Sequence, residues 1–134
     1  MKININESVY AKTHAEFLNK KFGTNYNSWM KCVYPINAEY EVWMIRFDGK
    51  IRDGWRNSYL GDVIKDENCE KKPTWDGMPV SQTLYRKKLV FEVLDCGKNK
   101  DRLYIFKGVY KYSEQESNPY QIRVYRKILD SYGD

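Results

Sequence analysis

The strongest constraint on the fold lies across residues 89–128, where LVFEVLD, RLYIFKGVYKY and QIRVYRKI alternate apolar or aromatic residues with basic ones. Successive side chains of a strand point to opposite faces, so a period of two with one apolar set writes a sheet that is dry on one side and wet on the other. Strands are expected over 88–95, 102–112 and 121–128, joined by a Gly-, Asn- and Lys-rich turn at 96–101 and a loop containing Asn118-Pro119. In the middle strand Leu103, Ile105 and Val109 are expected on one face and Tyr104, Phe106, Tyr110 and Tyr112 on the other. Gly108 between them marks a bulge or a barrel bend.

Upstream, residues 2–5 are β-prone, and the run 10–22 sets Ala11, Ala15, Leu18 and Phe22 on one helical face. Thr13 with Glu16 fits a capping box, and Gly23 stands where a left-handed C-terminal cap belongs. A second short helix is expected from Asn27, with Trp29, Met30 and Val33 on one side and an end forced near Pro35. Residues 39–47 read as a strand covered on both faces, Tyr40, Val42 and Met44 against Trp43, Ile45 and Phe47. Asp48-Gly49 signals a hairpin toward Ile51, and 53–79 shows no sustained period, which marks it as a binding loop. The tail 129–134 is expected to fray. With no repeat or linker, the chain reads as one α+β domain over 1–134: a strongly bent, mostly antiparallel sheet or small β-barrel with an N-terminal helix packed on it.

Catalytic patterns are absent from this reading. The one histidine, His14, falls on the expected helix without a nucleophile motif beside it. Asp62 and Glu92 approach a metal-dependent nuclease pattern, but Leu94 stands where Glu-x-Lys needs its lysine. Gly49, Gly54 and Gly61 lack the phosphate-loop context. Cys32, Cys69 and Cys96 are too widely spaced for a zinc or dithiol motif, so neither metal nor cofactor is expected and free thiols are. The start lacks an apolar signal core and no run is long enough to span a membrane, so the expected location is cytoplasmic.

Binding is the better reading. Residues 82–127 hold eleven Lys or Arg against five Asp or Glu, a net of +6 that leaves the rest of this +5 chain nearly neutral. Within 53–62, Trp55 and Tyr59 offer stacking rings while Arg56 and Asn57 offer donors able to read a base edge. Arg86, Lys87, Lys88 and Arg123 are the expected phosphate contacts, forming a stripe if their strands are neighbours. The plainer alternative has Trp55 and Tyr59 plugging a barrel end, Arg56 paired with an acid, the lysines guarding a sheet edge, and Trp75 stapling its loop to the core.

The strand order LVFEV, YIFKGVYKY, RVYRKI resembles the C-terminal half of the PUA-like small barrels, the group that includes SRA, EVE, YTH and ASCH domains, and accessory domains of restriction-type nucleases. The resemblance covers about 40 residues. It implies a curved sheet with one or two helices and an aromatic pocket for a modified or extruded base, for which Trp43, Trp55 and Trp75 are the candidates. It implies non-catalytic nucleic-acid binding, DNA or RNA. The rival is a small protein of phage or mobile-element origin that blocks a host defence nuclease through a protein interface, since Tyr, Trp and Arg also dominate such interfaces.

Overall fold

The computed structural model describes residues 2–27, 33–52, 54–70 and 82–133. Its strands in chain order are β1 (Lys2–Asn4), β2 (Ser8–Ala11), β3 (Val33–Pro35), β4 (Tyr40–Ile45), β5 (Ile51–Arg52) and β6 (Trp55–Tyr59). They continue as β7 (Val63–Asn68), β8 (Lys87–Asp95), β9 (Arg102–Tyr112), β10 (Ile122–Leu129) and β11 (Ser131–Gly133), and among the described residues one α-helix, α1 (His14–Phe22), lies between β2 and β3. Short 3-10 turns occupy Gln82–Tyr85 and Glu114–Glu116. The main sheet runs β3-β4-β8-β9-β10-β7-β6-β5, with β2 also paired to β9, and curls into a half-barrel. Every pairing is antiparallel except β4 with β8. A parallel pair needs a crossover, and the β5–β7 excursion supplies it.

The helix forms where its caps dictate. Thr13 Oγ1 accepts from the Glu16 amide at 3.0 Å, and Gly23 at φ 65° returns its N–H to the Asn19 carbonyl at 3.1 Å. Tyr10 and Ala11, expected in this helix, belong to β2, because Thr13 starts the helix after them. Phe17 and Leu18 are fully buried, and the Phe17 ring stacks on Tyr104 at 4.5 Å and meets Phe91 edge-on at 4.8 Å. Burial of such a ring contributes about 1.5–3 kcal/mol, more than the roughly 1 kcal/mol typical of a cap, so this contact fixes the helix on the sheet. Together with Val42, Met44, Leu89, Val93, Phe106 and Val109 they form the first core.

On the other face of the sheet, Trp43, Ile45, Ile64, Leu84, Val90, Tyr110, Tyr112 and Tyr125 form a second. Strand β4 thus feeds both cores, as its two apolar faces require. Strand β9 does so by a different device. Its register against β8 shifts between Val90 and Phe91, with Lys107 as the extra residue and Gly108 at φ 126°. One inserted residue reverses the alternation, so Val109 joins Tyr104 and Phe106 while Tyr110 and Tyr112 face the second core. The expected grouping of all four aromatic residues on one face therefore fails at the bulge.

Other expectations are corrected as well. Val33 opens β3 rather than continuing a helix, and the rest of that expected helix, 28–32, lies outside the described residues. Asp48-Gly49 turns the chain, with Asp48 Oδ1 accepting from the Lys50 amide at 3.0 Å. Ile51 then pairs forward with Arg56 in β6, not back onto β4. Residues 55–68 are a regular hairpin, not a loop. The tail is paired: β11 lies antiparallel to β1, with Ile3 buried and Tyr132 edge-on to Tyr40 at 5.1 Å. No helix among the described residues is long and apolar enough to cross a membrane.

Candidate nucleic-acid interface

Alternation decides which expected residues can act together. In β6, Trp55, Asn57 and Tyr59 are half-buried on the face away from the helix, while Arg56 and Ser58 point the other way into solvent. Cross-strand registry sets Asn57 beside Asp66 of β7, and Asp66 beside Arg123 of β10. Asn57 Nδ2 donates to Asp66 Oδ1 at 2.9 Å. The Arg123 guanidinium lies over the Trp55 ring, and its Nε donates to the Pro119 carbonyl at 2.7 Å. Burial lifts the Asp66 carboxyl to about 7, against the opposing pull of Arg123 and of the Asn57 hydrogen bond. Asp66 thus stands near the point where a carboxyl changes from acceptor alone to donor and acceptor.

A buried ion pair extends the polar group along the same face. Lys88 and Glu41 are direct neighbours across β8 and β4 and contact each other by Nζ and Oε1. Both are buried, and Lys88 Nζ sits 5.9 Å from the Tyr125 ring centroid. Burial, helped by the positive field of Arg123, draws the Lys88 ammonium down to about 7. Among the described residues, buried Glu41 Oε2 has no hydrogen-bond partner. Arg86 Nη1 stands 3.8 Å from it, an ion-pair distance but too long for a hydrogen bond.

Five of the eight expected site residues, Trp55, Asn57, Tyr59, Lys88 and Arg123, therefore share one face, with Arg86 at its edge. Tyr59 packs on Phe47 at 4.9 Å and carries Lys107 Nζ over its ring at 5.5 Å. Arg56 is paired with Glu67 at 3.2 Å on the opposite face and cannot read a base edge together with Asn57. Lys87 also points away, toward Glu39 at 3.5 Å and the Tyr40 ring. Lys88 is too deeply buried to serve as a surface phosphate contact. The basic stripe does not form, because β9 separates β8 from β10 and the cations take local acids: Lys107 with Glu92, Lys127 with Asp62 and Asp130, Arg126 with Glu116. Trp43 is buried edge-on to Tyr125 at 4.8 Å, and Trp75 lies outside the described residues.

Asp66 and Glu41 are absent from the sequence reading. The signal for Asp66 was available, since Ile64, Asp66 and Asn68 alternate with Val63, Lys65 and Glu67. It was hidden because the alternating residues are mostly polar.

Comparison with known proteins agrees with this fold. A family model for the SET and RING associated (SRA) domain matches residues 1–133. The solved structure of the 5-hydroxymethylcytosine-specific restriction enzyme AbaSI is similar, with a TM-score of 0.66 at 18% identity over 98% of this chain and 42% of that one. This chain thus spans less than half of that enzyme, and the identity speaks to the fold alone. No curated protein matches. A match along almost the whole sequence, on a half-barrel with one covering helix, places the chain in the SET and RING associated family, whose domains bind DNA.

Proposed function

We propose that this chain binds DNA without catalysis and holds one extruded base, a modified cytosine above all, against the sheet face opposite α1. The observation that carries the reading is the convergence of Trp55, Asn57, Asp66 and Arg123 on that face. A base taken out of its stack needs a ring surface, hydrogen-bonding groups for its Watson–Crick edge, and a cation for its phosphate. Trp55 supplies the ring, with Tyr59 as the wall beyond it. Asn57 and Asp66 supply the amide and carboxyl, and Arg123 and Arg86 the positive charge. The enzyme AbaSI is by its name specific for 5-hydroxymethylcytosine, which makes that base the first ligand to try.

The test is fluorescence anisotropy with duplexes carrying one cytosine, methylcytosine or hydroxymethylcytosine, each with 2-aminopurine beside the site to report unstacking. A modified duplex should bind at least tenfold tighter and brighten the probe. Asn57→Ala and Asp66→Ala should erase that preference while leaving the weaker, salt-sensitive binding to plain duplex. Equal binding to every duplex with no probe response would leave DNA binding standing and refute base extrusion.

A further inference from the structure

The helix covers only part of its side of the sheet: no residue of the first core comes from β6, β7 or β10. On the uncovered part lies a groove of about 370 Å³ with Val63, Ile122 and Val124 as its floor and Lys65, Arg126 and Glu116 at its rim. Leu60, 63% exposed, closes one end. Alternation places these residues opposite Ile64, Asp66, Arg123 and Tyr125, so the groove is at the back of the proposed DNA face.

Its chemistry is specific. The floor is aliphatic, and none of the lining residues offers a ring on which a base could stack. The rim carries cations: Lys65, Arg126, and Lys111 directly across from Arg126 on β9. Glu116, from the 3-10 turn Glu114–Glu116, grips Arg126 in a forked contact, Nε to Oε2 at 2.6 Å. The hydrogen bonds from Arg126 and then Ser113 hold its carboxyl down at about 2. The turn thus shows within the chain what the rim accepts, a carboxylate beside an apolar floor.

We propose that this groove docks an acidic, apolar peptide segment of a protein partner, whose carboxylate takes over Arg126 from Glu116 while an aliphatic or aromatic side chain fills the floor. The proposal stands apart from base extrusion, and its failure leaves that reading untouched.

A displayed library of random linear peptides, panned on the intact chain and counter-selected on Arg126→Glu, tests it. Enriched peptides should share Asp or Glu beside Leu, Ile or Phe, and their binding should survive saturating duplex DNA. Affinity should fall at least tenfold with Arg126→Glu, Lys65→Glu or Val63→Asp, each checked for an unchanged melting temperature. Glu116→Gln should raise affinity about threefold or more by removing the internal competitor; a charge change at one exposed lysine alone would not do this. Absence of acid-apolar enrichment, equal binding to the rim variants, or displacement by duplex overturns the proposal. So does sedimentation showing a dimer that Val63→Asp dissolves, because the groove would then be filled by a second copy.

Discussion

The guanidinium carbon of Arg123 lies 4.4 Å from the Trp55 ring centroid, while its Nε is tied to the Pro119 carbonyl at 2.7 Å. A cation held by both a ring and a carbonyl is oriented before any ligand arrives. A double-mutant cycle of Trp55→Ala and Arg123→Ala, read by denaturant unfolding, should give a coupling of about 0.5–2 kcal/mol. Trp55→Ala should weaken DNA binding by about 1–3 kcal/mol with little change in melting. A collapse of melting instead would make Trp55 a core residue.

Asp66 gives a pH dependence of known sign. Its carboxyl titrates near 7 in the folded protein against 3.8 in a free chain, so between those values only the folded state keeps the proton. Its contribution to stability is complete below about pH 4 and is lost as pH rises through 7. Asp66→Asn should remove this loss, as measured by urea unfolding at pH 4.5, 6 and 7.5. An unchanged profile would mean that Asp66 is better hydrated than its burial indicates.

His14 acts in the opposite sense. It is buried with Nδ1 2.8 Å from the Tyr104 hydroxyl, and burial first, then Arg102 and Arg46, depress it from 6.5 to about 4. The unfolded chain therefore takes up the proton first, and stability present above pH 6.5 is lost as pH falls toward 4. In His14→Leu this acid-side loss should disappear, while the loss due to Asp66 as pH rises remains. The native profile, where the two oppose each other, should be flatter than in either variant.

The Glu41–Lys88 pair should be worth less than its removal suggests. Lys88→Ala or Glu41→Ala strands a buried charge and should cost about 3–5 kcal/mol. Replacing both, as Glu41→Leu with Lys88→Met, should come out close to neutral or stabilising in the same unfolding assay. A double variant as unstable as the single ones would show that the pair has a further polar partner that needs it.

At Gly108 a side chain has no room. Its φ of 126° lies outside the range of other residues, and a Cβ there would stand 3.0 Å from the Leu129 carbonyl oxygen and 3.1 Å from Lys127 Cε. Gly108→Ala should destabilise by about 1–3 kcal/mol in thermal or urea unfolding. A loss below that range would mean that β10 shifts away without strain.

The strands with an apolar face were legible because hydrophobic alternation reports burial, and β4, β8, β9 and β10 all carry it. Strands β6 and β7 were not, and the reason is physical. WRNSY and VIKDEN turn polar residues toward the site and toward solvent, so hydrophobicity has nothing to alternate with. A surface built to hydrogen-bond a ligand erases the signal that would reveal its strand. Lys88 erred for the opposite reason, since a lysine reads as exposed until its partner is known, and Glu41 is 47 positions away in sequence. Gly108 was legible as a bulge, but not the reversal of faces that one extra residue imposes.

The pairing of Lys2 with Gly133 and Asn4 with Ser131 joins the two most distant stretches of the described sequence. Strand β1, which carries Ile3 into the first core, gains its hydrogen-bonding partner only once residues 131–133 have been made. At roughly 5–20 residues per second, β1 is made several seconds before its partner β11. Deleting residues 131–133 should therefore be far more damaging than the small size of that strand implies.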